Sequence, residues 1–162
     1  MRAGADIADG AKVFSVLTIR AVAVRRDGHW PVEAMLDEVI FDYDRRHRRR
    51  IRFNTLNGTD ILLDLQEAIH VRHGDAFELE NGEFIRVHAL PEALLEVAAS
   101  DADTLARLAW HLGNRHLAVQ FLPGRLRLLD DHVIAAMIVQ MGGTATQISA
   151  PFDPEAGAYH HG

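Results

Sequence analysis

Cysteine is absent from the sequence. That excludes disulfides, thiolate zinc sites, iron–sulfur clusters and cysteine nucleophiles together. Lysine is almost absent too, Lys12 being the only one, so arginine carries nearly all the cationic charge. No run of about eighteen apolar residues offers a membrane span. The opening "MRAGADIADGAK" has no apolar core of signal-peptide length, so a cytoplasmic location is expected. Positive charge is in deficit, with a net charge of -6 when histidines are neutral, which disfavours indiscriminate nucleic-acid binding. Histidine, by contrast, occurs ten times in 162 residues. Any metal site must therefore use imidazole and oxygen ligands, which suit Ni, Zn, Cu or Co.

The hydrophobic fraction of 48% and charged fraction of 25% are those of a soluble globular protein. The length suits one ordinary domain or two small ones. From about Phe14 to His88 the chain reads mostly as strands. "DEVIFDYD", "RIRFNT", "DILLDL", "EAIHVRH" and "FELENGEFIRVHA" are short, partly alternating, and rich in Ile, Val and Phe. Asn57-Gly58 and Asn81-Gly82 lie between apolar runs, and Asp27-Gly28 follows another, as hairpin turns require. The first half is expected to be a mainly antiparallel β domain.

After Pro91 the pattern changes. "LLEVAAS" reads as a strand and "SDADTLARLAWHLGN" as a helix, with Leu105, Leu108, Ala109 and Leu112 on one stripe. Ser100 with Asp103 is the expected capping pair, and Gly113 the expected C-terminal cap. "LAVQFLP" and "RLRLL" read as strands joined through Pro123-Gly124. "DDHVIAAMIVQMG" follows as a second helix with Ile134, Met137, Ile138 and Met141 on its apolar face, and "TATQISA" as a last strand. The predicted class is α+β: residues 1–90 a β domain, 91–150 a ferredoxin-like βαββαβ domain. Residues 151–162 form a tail not expected to be fully ordered.

Several residues are candidates for chemistry. In "HLGNRH", His111 falls in the last helical turn, where imidazole suits the carbonyl ends. His116 follows the break and is free for a metal, although one imidazole makes no site. In "LDDHV", aspartates beside a helix start can cap it, while Asp130 and His132 could instead face one ligand. His160 and His161 can add ligands from the tail. "DYDRRHRRRIRF" holds Arg45, Arg46, His47, Arg48, Arg49, Arg50 and Arg52, partly neutralised by Asp42 and Asp44. It reads as a solvated turn or a protein-docking surface, with phosphate contact the other reading. No G-x-S-x-G, P-loop, Gly-rich dinucleotide loop or H-E-x-x-H occurs, which lowers the case for an enzyme.

Together the motifs resemble a family. "DYDRRHRRRIRF" with "DILLDL", then "HLGNRH", "LRLLDDHVIAAM" and "PFDPEAGAYHH" are similar, in order and spacing, to the UreE-type urease accessory proteins, which are nickel metallochaperones. The resemblance runs from about Phe14 to the C-terminus. It implies a peptide-binding-like β domain, then a ferredoxin-like domain that binds metal and forms a homodimer. His116 matches the family histidine at the two-fold axis, where two imidazoles share one nickel. His132 matches the second histidine of a His-x-His pair, and Asp130 stands where the first would be. A carboxylate there is a harder ligand and should alter metal preference, leaving Zn2+ or Cu2+ as competitors. The tail has only His160 and His161, unlike the long histidine-rich tails of many relatives. The cargo is expected to be Ni2+, passed toward the urease apoprotein through the maturation GTPase and its companions. Binding needs deprotonated imidazole, so affinity should fall as pH drops through the histidine range.

Two rivals are separable. An RNA-binding ferredoxin-like module needs exposed aromatics on central strands. "LAVQF" and "RLRLL" offer only Phe121, and residues 91–162 hold eight acids against four arginines. A metal-dependent hydrolase built on His116 and His132 lacks an evident general base.

Overall fold

A computed structural model describes residues 17–156. Strands β1 (Ile19–Arg25), β2 (Met35–Phe41), β3 (Arg50–Asn54), β4 (Asp60–Asp64), β5 (Ala76–Leu79) and β6 (Phe84–Ala89) form one sheet in the order β2-β6-β5-β1-β4-β3. Two of the three expected hairpins are present: Asn57-Gly58 lies between β3 and β4 and Asn81-Gly82 between β5 and β6, whereas Asp27-Gly28 turns the chain between β1 and β2, which do not pair with each other. Gly58 and Gly82 have φ of 91° and 84°, which a side chain would resist. Three neighbour pairs are antiparallel, but β1–β4 and β2–β6 are parallel, so the sheet is mixed. Inward residues such as Phe41, Phe53, Ile61, Leu63, Phe77 and Ile85 make its core. Phe41 and Phe53 meet edge to face with ring centres 5.0 Å apart.

"EAIHVRH" is not a strand. Its Val71 is buried, but its backbone serves the arginine turn: Val71 N–H donates to Arg46 O at 2.9 Å, and Val71 O accepts from the Arg46 guanidinium. A segment whose polar groups are met this way needs no ladder partner.

The second half follows the predicted order. Strand β7 (Glu92–Ala98), helix α1 (Ala102–Asn114), strands β8 (Gln120–Leu122) and β9 (Arg125–Leu129), helix α2 (His132–Gln140) and strand β10 (Thr144–Ala150) follow one another. The sheet order is β10-β7-β9-β8, antiparallel throughout, which is the split βαβ arrangement. Leu95, Val97, Leu126 and Leu128 from the sheet meet Leu108 and Leu112 of α1 and Ile134 and Ile138 of α2. Each of these buried leucines contributes about 1.5–3 kcal/mol. No helix among the described residues is long and apolar enough to cross a membrane.

Both caps of α1 differ from the sequence expectation. Asp101, not Ser100 with Asp103, is the N-cap, accepting from Thr104 N–H at 2.7 Å. These bonds hold the Asp101 carboxyl below the usual range. Gly113 lies inside the helix, and the left-handed residue beyond it is His116, with φ 59°. Leu117 N–H donates to Leu112 O at 3.3 Å, and His116 N–H to Gly113 O at 3.0 Å. That pair of bonds is a Schellman motif with His116 at its C′ position. Leu117 and Leu112 join the same core cluster, so the helix runs past its glycine to seat Leu117.

The two sheets are tied by the residues after β10. Phe152 is fully buried, with its ring 5.1 Å from that of Tyr43. Arg46, from the middle of the arginine run, is itself 0% exposed. It donates to Phe152 O and to the Asp153 carboxylate. The run is thus not a uniformly solvated turn: Arg45, Arg48, Arg49 and Arg50 are exposed, while Arg46 is the clamp. On the far side, Asp153 N–H donates to Gln120 Oε1 at 3.2 Å and Glu155 N–H to Val119 O at 2.9 Å.

Candidate metal centre

His116 projects from the turn that ends α1, exposed and in left-handed backbone. Histidine tolerates this region better than most side chains, but glycine occupies it by default. His111 sits one turn earlier, half-buried, its ring 4.9 Å edge-on from Trp110. That placement agrees with a structural role for His111.

The junction between β9 and α2 separates its two aspartates. Asp131 is the N-cap, its Oδ1 accepting from Val133 N–H at 2.8 Å and Ile134 N–H at 3.1 Å. Asp130 takes no part in the cap; among the described residues its carboxylate accepts only from Gln147 Nε2, at 3.0 Å, and it is exposed. His132 is the first residue of α2 and also exposed. Leu117 and Ala118, next to His116, line a shallow cavity of about 140 Å³ together with Leu128, Leu129, Asp130 and Asp131. The segments bearing His116, Asp130 and His132 therefore meet at one hollow. Among the described residues, no three His, Asp or Glu side chains converge as a metal site within the single chain. His160 and His161 lie outside the described residues.

Residues 151–155, the strap that Arg46 and the β8 region hold, were not legible as a structural element in the sequence. Phe152 lies between Pro151 and Pro154, and an aromatic flanked by prolines in a small-residue tail was the available signal. Burial works to raise the Asp153 carboxyl, yet His70, 3.4 Å away, and the Arg46 guanidinium hold it below the usual carboxylate range.

The open face of the second sheet does not suit RNA. Central strands β7 and β9 carry no aromatic residue, and Phe121 lies on edge strand β8. Glu96 faces Arg125 and Arg127 there, at 3.1 and 2.9 Å, so the charges are paired.

Fold and residues define a two-sheet α+β chain with a histidine-bearing ferredoxin-like half. Family models described as the N-terminal and C-terminal domains of the UreE urease accessory protein match residues 19–90 and 92–162. The chain belongs to that family and is an accessory protein, not an enzyme. It is 49% identical over 141 residues to a urease accessory protein UreE of Beijerinckia indica, covering 87% of this chain and 81% of the relative. The relative of that name in Rhodopseudomonas palustris strain HaA2 is 50% identical over 141 residues, 87% of this chain and 65% of its own length. That of Agrobacterium fabrum is 46% identical over 125 residues, 76% of this chain and 78% of the relative.

Proposed function

We propose that the chain is a nickel metallochaperone of urease maturation, binding Ni2+ at a homodimer interface and handing it on for assembly of the urease metallocentre. His116 carries this reading: an exposed imidazole held where the backbone favours glycine. Strain kept at an exposed functional group is what a retained site requires. One imidazole becomes two across a two-fold axis, which would supply what a single chain lacks among its described residues. Exposed Trp110, Phe121, Leu129 and Val133 offer apolar surface on the same half for the second copy.

Asp130, which lines the hollow, and the neighbouring exposed His132 would add ligands in this reading, with Zn2+ and Cu2+ as competitors. The strap supports a contribution from His160 or His161. From Asp153 to Glu155 it runs antiparallel to Gln120 and Val119, and so travels toward His116. Five residues beyond Glu155 reach at most about 18 Å. In this reading residues 91–150 bind metal and dimerise, residues 151–162 form the tail, and residues 1–90 dock the urease apoprotein or the maturation GTPase in the cytoplasm.

Nickel titration calorimetry on the intact protein and on His116→Ala, with the dimer confirmed in both, tests it. Loss of one tight site per dimer in the variant is expected. Unchanged stoichiometry and affinity would remove His116 from the site.

A further inference from the structure

The six-stranded sheet has two edges, and they differ. At β2 the edge is covered: Leu56 N–H donates to Glu38 O at 2.9 Å, and Asn57 bonds the Asp37 carboxylate through its backbone N–H and its Nδ2. At β3 it is open. β3 pairs with β4 from Arg50↔Asp64 to Asn54↔Asp60. Leu65 N–H donates to Arg49 O and Thr55 N–H to Thr59 O, both at 2.9 Å. Antiparallel pairs alternate, so Arg50, Arg52 and Asn54 turn their backbone N–H and C=O groups away from β4. Among the described residues nothing bonds to those outward groups.

A groove of about 580 Å³ opens at the hairpin end of β3 and β4, lined by Arg52, Phe53, Asn54, Gly58 and Asp60. A Cβ built on Gly58 would meet nothing within 4 Å, so the groove is clear at the hairpin. The approach is cationic although the protein is acidic overall. Arg45, Arg48, Arg49 and Arg50 are all exposed, and Arg50 makes no ion pair among the described residues. Self-pairing is opposed by charge: an antiparallel β3–β3 contact centred on Arg52 sets that arginine against its own copy.

We propose that the β3 edge takes an extended, acidic segment of a partner protein by strand addition. The ladder groups of Arg50, Arg52 and Asn54 supply hydrogen bonds, and the arginine side chains select acidic residues. The competing role of such charges is to keep other strands off the edge. The two roles give opposite results with an acidic strand. Neither depends on where nickel binds.

Fluorescence anisotropy on the full chain decides, using a labelled heptapeptide of alternating Glu and Val. Its lysine counterpart and a version N-methylated at every second amide are the comparisons. The acidic peptide is expected to bind. Lysine replacement or N-methylation should each weaken it about tenfold or more, the size of one or two lost hydrogen bonds. Arg50→Pro removes an outward N–H without touching the β3–β4 ladder, and should weaken binding more than Arg50→Gln. If Arg50→Pro fails to fold, the N-methylated peptide on the unaltered protein gives the same answer. Equal binding of the methylated peptide, or no binding of the acidic one, overturns the proposal. So does binding that appears only after residues 1–16 are deleted, or displacement of the peptide by oligouridine.

Discussion

Left-handed backbone after a helix usually belongs to glycine, because a Cβ there crowds the following carbonyl oxygen. His116 occupies that position, exposed and one residue before Leu117, which lines a hollow together with Asp130. Replacing it with glycine should stabilise the fold by about 1 kcal/mol. The same change should abolish the proposed nickel site, so that urea midpoint and metal affinity move in opposite directions. A fall in the midpoint would mean that the imidazole itself supports the turn. The sequence marked His116 as unusual but placed the helix stop at Gly113. What overrode the glycine was Leu117, whose contact with Leu112 requires one more stretch of turn. Arg46 was illegible for a different reason. It has the same chemistry as its arginine neighbours, and only the arrival of Phe152 selects it for burial.

Elements with a strong period were readable. The stripe of α1, that of α2 and the hairpins at Asn57-Gly58 and Asn81-Gly82 follow from spacing and turn chemistry alone. The parallel pairings of β1 with β4 and β2 with β6 were not, because a strand's alternation is the same whichever way its neighbour runs. Helix-to-sheet spacing in the second half hangs on Gly143. A Cβ there would stand 2.7 Å from Leu108 Cδ1, 3.0 Å from Ile138 Cγ2 and 3.3 Å from Ala98 O. Both helices and β7 close on that point, so there is no free direction for relief. Gly143→Ala should cost about 1–3 kcal/mol by overpacking. Thermal unfolding of the intact protein measures it, and an unchanged midpoint would show that the helices can part without penalty.

Across the whole molecule, the strap couples the halves. Arg46 holds Phe152 O and Asp153, while Glu155 and Asp153 are bonded to the β8 region. Arg46→Ala leaves the carbonyls of Val71 and Phe152 unmet and the Asp153 carboxylate with His70 as its remaining partner, and should destabilise by about 3 kcal/mol. It should also split one unfolding transition into two. Acid should act through the same contact. The Asp153 carboxyl is lowered in the folded state, so its contribution is complete above the unfolded value of about 3.9 and fades as pH falls through the lower folded one. Asp153→Asn should therefore flatten the acid limb of a urea-midpoint profile. An unaltered limb would assign acid sensitivity to other carboxylates, Asp60 among them, which Arg52 and Thr18 hold down at about 2.

The bond from Arg46 to Phe152 O spans 106 residues of sequence. During synthesis the first sheet emerges long before the segment that completes it, and closing so long a loop is slow. Until then a guanidinium destined for the interior has no anion to meet. Burial of the Arg46 side chain therefore has to wait for residues 152 and 153, and a nascent chain that stops short of them should betray itself at Arg46.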